Sequence, residues 1–176
     1  MSSVWTGAQA FLARRRVTLG FVAALATIVM ARPTWTSWSV GLVVACVGEA
    51  IRIWAAGHIE KDREVTTSGP YQWMRHPLYV GSSVMALGVV IAARSPVAAV
   101  LVLLYMATTI AAAVTTEEDR LRRAFGDTYD SYARARGPRV ARAFSVARVV
   151  RNREYRAAGG VVGGFLILAL RVAFNL

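Results

Sequence analysis

Five long apolar segments are the feature that most limits what this chain can fold into. They cover residues 17–31, 37–57, 77–93, 96–116 and 158–174. A helix needs about 20 such residues to cross the hydrocarbon core of a bilayer. Because backbone polar groups in lipid must be paired within the segment, helices are favoured there. The sequence therefore predicts an all-α integral membrane protein with about five transmembrane helices, as a single membrane domain over residues 1–176.

The composition agrees with a membrane protein and explains the charge. Hydrophobic residues make up 56% of the chain, and 21 basic residues against 10 acidic ones give a net charge of +11. A soluble protein with this balance would suggest nucleic acid as a partner. Here most of the arginines lie between apolar segments, so we attribute them to the membrane surface and predict no nucleic-acid partner.

The distribution of the basic residues predicts the orientation. Seventeen of the 21 lie in the N-terminal segment, in residues 58–76 or in residues 117–157. The positive-inside rule places these three regions in the cytoplasm, and we expect the cell (inner) membrane as the location. The two connections on the other side are short, so the polar chemistry is expected on the cytoplasmic face.

Metal chemistry has few ligands in this sequence. Cys46 is the single cysteine, and the chain has two histidines. A structural zinc site usually needs four Cys or His ligands. The sequence therefore predicts no metal site and no intrachain disulfide.

The first segment with polar chemistry is REVTTSGPYQWMRHPLYVG, residues 63–81. Pro77 suits the first position of a helix, so the third apolar helix is expected to begin there. Its free N–H groups, with Arg75 and His76 beside them, would attract a carboxylate or phosphate. The alternative is that Arg75 only anchors the helix, while the small residues that follow pack against a neighbouring helix.

The second segment is TTEEDRLRRAFGDTYDSYARARGPR, residues 115–139. The fourth helix is expected to continue to Phe125 and to end at Gly126. Glu118 can pair with Arg122, and Asp119 with Arg123, at i,i+4 spacing. Glu117 instead lies on the inward face and needs a partner, which is either a ligand or Arg120.

These two segments resemble the isoprenylcysteine carboxyl methyltransferase and phospholipid methyltransferase superfamily of integral membrane enzymes. The superfamily pattern is approximately RHPxYxG, a spacer, then EExxLxxxFGxxYxxYxxxxPR. The resemblance covers roughly residues 58–140, which we therefore regard as the methyltransferase core. The matching positions are Arg75, His76, Pro77, Tyr79, Gly81, Glu117, Glu118, Leu121, Phe125, Gly126, Tyr129, Tyr132, Pro138 and Arg139.

The resemblance implies S-adenosylmethionine as cofactor, bound at a cytoplasmic site formed by helix ends and short helices. The chain has no GxGxxG sequence, and these enzymes bind the cofactor without a Rossmann sheet. By position, the implied catalytic residues are His76, Tyr79 and Glu117. The implied cofactor-binding residues are Arg63, Glu64, Val65, Thr66, Tyr71, Arg75, His76, Pro77, Leu78, Tyr79 and Glu117. Among them, His76 best suits the role of proton acceptor, because histidine ordinarily titrates near neutral pH.

One position departs from the superfamily. In the prenylcysteine enzymes an arginine four residues before the cofactor-binding glutamate meets the substrate carboxylate, and here that position is Ala113. This argues against a prenylcysteine substrate. It favours another lipophilic, membrane-partitioned acceptor, with an amine, a hydroxyl, a thiol or a differently held carboxylate.

Two further features lie outside the resemblance. Glu49 and Arg52 are ionisable residues within the second span, and we expect them to neutralise each other rather than to line a tunnel. Residues 139–157 alternate arginines with apolar residues. They predict an amphipathic basic helix at the membrane surface, which could also cover the cofactor site.

The alternative function is a non-enzymatic transporter-like or scaffold protein. In that case Glu49 and Arg52 would carry the function. Transporters often contain internal repeats or broken helices at mid-membrane. The sequence shows neither, so we favour the enzyme.

Overall fold

The computed structural model describes Arg15 and residues 18–61, 63–134 and 140–175. Regular structure in this part of the chain is entirely helical. A 3₁₀ turn, Gly69–Gln72, lies between the second and third α-helices. In chain order the α-helices are α1 Thr18–Met30, α2 Trp35–Ala56, α3 Pro77–Ala93, α4 Pro96–Phe125, α5 Asp127–Ala133, α6 Val146–Arg151 and α7 Tyr155–Ala173.

Five of these helices correspond to the five predicted apolar segments. Three of them, α2, α4 and α7, are long and apolar enough to cross a membrane. The other two, α1 and α3, are apolar but shorter, and α3 has 17 residues. The prediction of an all-α integral membrane protein is confirmed. Since α4 has 30 residues, it is about 45 Å long and exceeds a hydrocarbon core of about 30 Å.

Local sequence explains where the helices around the site begin and end. Pro77 is the first residue of α3, and His76 precedes it in a non-helical conformation. At the other end, Arg94 adopts a left-handed conformation, and the Ser95 side chain accepts a hydrogen bond from Ala98 N at the start of α4. Gly126, with a positive φ of 47°, ends α4 and allows α5 to start at once. These turns place the C-terminal end of α4 on the same side of the molecule as the start of α3.

Among helices α2 to α7, the most extensive pair is α2 with α3, and glycines bring the two backbones together. A Cβ on Gly48 would lie 2.5 Å from the backbone N of Met85, and a Cβ on Gly88 would lie 2.5 Å from Gly41 O. Such distances leave no room for a side chain. The alternative interpretation, that small residues of α3 pack against a neighbouring helix, therefore holds at Gly81 and Gly88, and the neighbour is α2.

The last helix, α7, packs against both α2 and α3. Trp38 donates its indole N–H to Phe165 O at 2.8 Å, and the two rings meet edge to face. Arg171 donates to Ile28 O at 2.6 Å, which joins α7 to α1. The buried core between these helices consists of Ala31, Ala45, Ala92, Ala93, Ala98, Phe165 and Leu168.

The basic segment differs from the prediction of one amphipathic helix over residues 139–157. Residues 140–145 form no helix, α6 has only 6 residues, and α7 already begins at Tyr155. The reason lies in the contacts of the segment. Ser145 N donates to Gly57 O at 3.1 Å, and Val140 N donates to the Thr67 hydroxyl at 3.0 Å. Backbone hydrogen bonds that a helix would make internally are thus made to residues 57–67.

Candidate active site

The two sequence motifs meet through Glu118. Its Oε1 atom lies 3.0 Å from Arg75 Nη1 and 3.1 Å from His76 Nε2. Its other oxygen, Oε2, accepts a hydrogen bond from Arg122 Nη2 at 3.1 Å. The predicted pair of Glu118 with Arg122 is therefore present, whereas Asp119 approaches Arg122 at 3.7 Å instead of the expected Arg123. Sequence reasoning missed that Glu118 also holds Arg75 and His76.

This contact fixes the imidazole of His76. An ionised carboxylate only accepts hydrogen bonds, so Nε2 of His76 donates to Glu118. In the neutral ring the lone pair is then on Nδ1. The His76 side chain makes no capping hydrogen bond at the start of α3. His76 is therefore oriented, with Nδ1 as the nitrogen that can accept a proton.

A second link joins the motifs at Glu117. The Tyr79 hydroxyl donates to Glu117 Oε2 at 2.8 Å, and the rings of Tyr79 and His76 lie 5.8 Å apart. The three implied catalytic residues thus form one cluster at the junction of α3 and α4. Within the described ranges, no group of three or more His, Cys, Asp or Glu side chains could hold a metal ion.

Tyr71 lies on the 3₁₀ turn and is held from behind by α5. The hydroxyl of Tyr132 donates to Tyr71 O at 2.9 Å. The Tyr71 side chain is buried, with 6% of the residue exposed, and its own hydroxyl has no hydrogen-bond partner among the described residues. Leaving a buried hydroxyl unpaired costs about 1–3 kcal/mol. This hydroxyl is therefore a donor available to a ligand.

The phenols of this region keep their protons at neutral pH. Burial, and after it the negative charge of Glu117, raises the pKa of Tyr71. Burial, reinforced by the neighbouring Tyr129, raises the pKa of Tyr132 to about 12. Both tyrosines therefore act as hydrogen-bond donors rather than as proton acceptors.

A large cleft of about 960 Å³ opens beside this cluster. We call it the cleft. Its lining combines residues of the motifs with apolar residues deep in the helix bundle, including Val89 and Met106. The predicted site residues that line it are Tyr71, Arg75, His76, Leu78, Tyr79 and Glu117.

A second, small pocket of about 40 Å³ lies on the other side of Tyr71. We call it the small pocket. The predicted site residues that line it are Glu64, Val65, Thr66, Tyr71, Arg75 and Glu117. Tyr71, Arg75 and Glu117 line both cavities, as Lys61 also does, and these residues form the wall between them.

Two predicted cofactor residues line neither cavity. Arg63 is exposed, and Pro77 is fully buried as the first residue of α3. The residues Pro138 and Arg139, which belong to the sequence pattern, lie outside the described residues. The role of Pro77 in this structure is to start α3 next to His76.

An ionic contact that the sequence did not predict lies within the cleft. Arg52 donates to Glu154 at 2.6 Å and also contacts Leu78 O and the Ser82 hydroxyl. Glu49, its predicted partner, is more distant at 3.8 Å. Glu154 is the single acid in the basic stretch 139–156, which is the signal that could have identified it. Arg52 thus joins α2 to α3 and to the start of α7.

The basic segment covers residues 57–64. Arg142 lies 2.6 Å from Glu64, Arg151 lies 2.7 Å from Glu60, and Arg148 donates to Gly57 O at 2.7 Å. Residues 140–151 therefore hold this loop from outside the small pocket, and their covering of a cofactor site stays a prediction.

The comparisons with known proteins identify the family of the chain. The family model for phospholipid methyltransferases matches residues 21–128, more than half of the chain. That range includes the first motif, the second motif up to the start of α5, most of α1, and the whole of α2, α3 and α4. No solved structure matches the chain.

Curated relatives match over part of their length. A probable protein-S-isoprenylcysteine O-methyltransferase of Oryza sativa subsp. indica is 32% identical over 56% of this chain and 58% of its own. A nickel-cobalt-cadmium resistance protein, NccN, of Alcaligenes xylosoxydans xylosoxydans is 34% identical over 57% of this chain and 49% of its own.

A third relative is a protein-S-isoprenylcysteine O-methyltransferase of Schizosaccharomyces pombe. It is 34% identical over 48% of this chain and 36% of its own. The matches thus span between about a third and three fifths of the relatives' length. The resemblance drawn from the two motifs is confirmed: the chain belongs to the phospholipid methyltransferase family.

Proposed function

We propose that this protein transfers a methyl group from S-adenosylmethionine to a lipophilic acceptor that partitions into the membrane. The observation that carries the proposal is the wall formed by Tyr71, Arg75 and Glu117, which faces the small pocket on one side and the cleft on the other. Donors and a carboxylate at this wall suit a polar cofactor. The apolar residues deep in the cleft, such as Val89 and Met106, suit a lipid.

The residues present fit the cofactor. The buried hydroxyl of Tyr71 has no partner among the described residues and is a donor for a carboxylate or a ring nitrogen. Glu117 supplies a negative charge for an ammonium group or an acceptor for hydroxyl groups. The exposed carboxylate of Glu64 and the buried Thr66 line the adjoining small pocket.

Methyl transfer mainly requires that the methyl donor and the acceptor are oriented towards each other and that a proton acceptor is present. When bound, S-adenosylmethionine supplies an electrophilic methyl group on a sulfonium centre. The apolar residues in the inner part of the cleft would orient a lipophilic acceptor towards the motif cluster and keep water away from it. Nδ1 of His76, with the ring oriented by Glu118, takes the proton if the acceptor is an amine, a hydroxyl or a thiol.

The site is proposed to face the cytoplasm, where S-adenosylmethionine is made available. The argument is the charge distribution, since the site side of the molecule carries most of the basic residues. The name of NccN refers to metal resistance. We favour the methyltransferase over a role of that kind, or a transporter-like or scaffold role, because the family model matches more than half of the chain.

The test is a cofactor titration of purified protein in detergent, followed by thermal unfolding. S-Adenosylmethionine and S-adenosylhomocysteine should raise the unfolding temperature saturably, as expected for a ligand that binds only the folded state. Tyr71→Phe removes a buried hydroxyl that has no partner in the ligand-free protein, so the stability of that protein should rise by up to about 1–3 kcal/mol, while cofactor affinity falls about tenfold. Glu117→Gln should also weaken binding.

Tyr155→Phe is the matched control, because Tyr155 is 57% exposed and lines neither cavity. It should bind the cofactor like the wild type. If folded wild-type protein showed no stabilisation at millimolar cofactor, the enzyme proposal would be wrong. The transporter-like or scaffold alternative would then be favoured. If stabilisation occurred, transfer of labelled methyl groups to membrane lipid extracts would identify the acceptor.

A further inference from the structure

An apolar chamber between α1, α3, α4 and α7 lies next to the cleft. This inner chamber has a volume of about 230 Å³. For comparison, an apolar cavity of about 150 Å³ is large enough to take up benzene. The chamber and the cleft share more than half of the residues that line the chamber, so the two cavities adjoin each other. Shared lining residues include Ala24, Ala86, Val89, Met106, Gly160 and Val161.

Glycines of α7 make the chamber wide. Gly160 and Gly164 line it, and a Cβ added to either would meet no described atom within 4 Å. Glycines in membrane helices usually allow close packing, as Gly48 and Gly88 do between α2 and α3. On α7 the same residue type leaves space instead. The chamber is therefore suited to a hydrocarbon chain.

The outer part of the cleft is positively charged. Lys61, Arg153 and Arg156 line it, and none of them forms an ion pair with another described residue. We call these three residues the mouth cations. Of the two carboxylates of the same cleft, Glu154 is neutralised by Arg52, whereas Glu117 accepts a hydrogen bond from Tyr79 at the motif cluster and keeps its charge. The charge at the mouth is thus available to an anion.

The position of the mouth cations is built into the fold. Arg153 has a positive φ of 58°, which a residue with a side chain adopts at a cost. The next residue, Glu154, is buried and bound to Arg52 at 2.6 Å. This ion pair holds the turn before α7 in place. Arg153 and Arg156 on either side of Glu154 line the cleft as a result.

We propose, building on the proposed function, that the methyl acceptor is an amphiphile bound across the cleft and the chamber. Its hydrocarbon chain occupies the inner chamber, and its anionic group, a carboxylate or a phosphate, lies at the mouth cations. Ala113 lines neither the cleft nor the chamber. The cationic role that the superfamily gives to that position thus falls to the turn before α7.

The binding test uses a photoactivatable hexadecanoic acid with a diazirine near the chain end. The probe is applied to the protein in phosphatidylcholine nanodiscs, and labelled residues are mapped by mass spectrometry. Saturable labelling of chamber residues is expected. Hexadecanoic acid and hexadecyl phosphate should compete, and the stronger competitor distinguishes a carboxylate from a phosphate group. Hexadecanol should compete at least about tenfold more weakly.

Variants separate the chain site from the anion site. Gly164→Leu fills the chamber and should remove the label there, whereas Gly163→Leu, next to it but outside the chamber lining, should keep it. Arg153→Gly combined with Arg156→Gln should lower the affinity at least tenfold. Glycine tolerates the positive φ of position 153, so the fold should not lose stability from that change.

Cofactor binding is measured on the same samples by thermal unfolding. Normal cofactor stabilisation in the double variant would show that the lost labelling concerns the amphiphile. Loss of cofactor binding with intact labelling would instead assign the arginines to the cofactor and overturn the proposal. Labelling that is spread over the lipid-facing surface would also overturn the proposal, and so would equal competition by hexadecanol. Saturable chamber labelling without cofactor binding in the wild type would retain the amphiphile site and reject the methyltransferase.

Discussion

At the scale of single residues, Glu118 has the most consequence for the candidate site. It binds Arg75, His76 and Arg122 at distances of 3.0–3.1 Å. An oriented imidazole is a better proton acceptor than a freely rotating one, because its lone pair already points along one direction. Glu118 is therefore a positioning residue, while His76 is the residue proposed to meet the acceptor.

The structure predicts opposite tautomers for the two histidines. His76 donates from Nε2 to Glu118, whereas His58 Nδ1 lies 2.9 Å from Trp54 O, an acceptor that requires Nδ1–H. In protein labelled with ¹⁵N-histidine, long-range ¹H–¹⁵N spectra at alkaline pH should therefore show one ring of each kind. Because the chain has two histidines, both signals can be assigned with a single His58→Gln variant.

Glu118→Gln is the discriminating variant for this prediction. An amide both donates and accepts, so the His76 signal should become a mixture of tautomers while the His58 signal stays unchanged. An unchanged His76 signal would mean that Glu118 does not set the tautomer. Glu118 would then interact with His76 through its charge alone, and it forms an ion pair of the same kind with Arg75.

At the scale of elements, glycine has two opposite uses in this molecule. Gly48 and Gly88 allow α2 and α3 to touch backbone to backbone, while Gly159 and Gly163 on α7 face open space among the described residues. The contact between α2 and α3 also positions the start of α3, where His76 and Tyr79 lie. Substitution by alanine should therefore have opposite effects on the two helices.

Gly48→Ala should lower the free energy of unfolding by about 1–3 kcal/mol, because its Cβ would lie 2.5 Å from Met85 N and force the helices apart. Gly159→Ala meets nothing and should leave stability unchanged or raise it by up to about 1 kcal/mol. Unfolding of detergent-solubilised protein by heat measures both. Equal destabilisation by the two substitutions would contradict the close contact of α2 with α3.

Local sequence predicts most of the element boundaries. The starts of α3 and α4 and the end of α4 follow from Pro77, Pro96 and Gly126, whose conformational preferences act within a few residues. The basic segment was mispredicted because its helical pattern is outweighed by hydrogen bonds to residues 57–67. Such contacts connect residues more than 70 positions apart and leave no local pattern.

In the site, too, some features follow from local sequence and others depend on contacts between distant residues. The identities of His76, Tyr79 and Glu117 came from the motifs, and the structure places them in one cluster. The link from Glu118 to His76 and that from Arg52 to Glu154 depend on how helices pack, and sequence spacing does not encode it. Whether these residues bind the cofactor stays a prediction until the titration is made.

At the scale of the whole molecule, polar and apolar functions are separated along the helix axes. The clustered charges at the end of α4 and in the turn before α7 lie at one end, and the inner chamber lies within the bundle. A lipid can keep its chain in the bundle while its head reaches the motif cluster. This arrangement requires that the charged end lies at a membrane surface, and the charge bias predicts that this surface is cytoplasmic.

Cysteine labelling in spheroplasts of a bacterial host tests that orientation. In a Cys46→Ser background, Arg32→Cys reports one side of the membrane and Arg123→Cys the other, and both positions are exposed. A membrane-impermeant maleimide should label Arg32→Cys in intact spheroplasts and Arg123→Cys only after lysis. Removal of one arginine leaves the bias in place, because sixteen of the seventeen basic residues on the charged side remain.

The reverse labelling pattern would place the motif cluster outside the cytoplasm. The mouth cations would then face the outer surface, and the proposed supply of S-adenosylmethionine would fail even if the purified protein bound it. Labelling of both positions in intact spheroplasts would indicate two orientations in one population. Because arginine count is the sole argument for orientation, this experiment decides whether the site that the helices build has access to its cofactor in the cell.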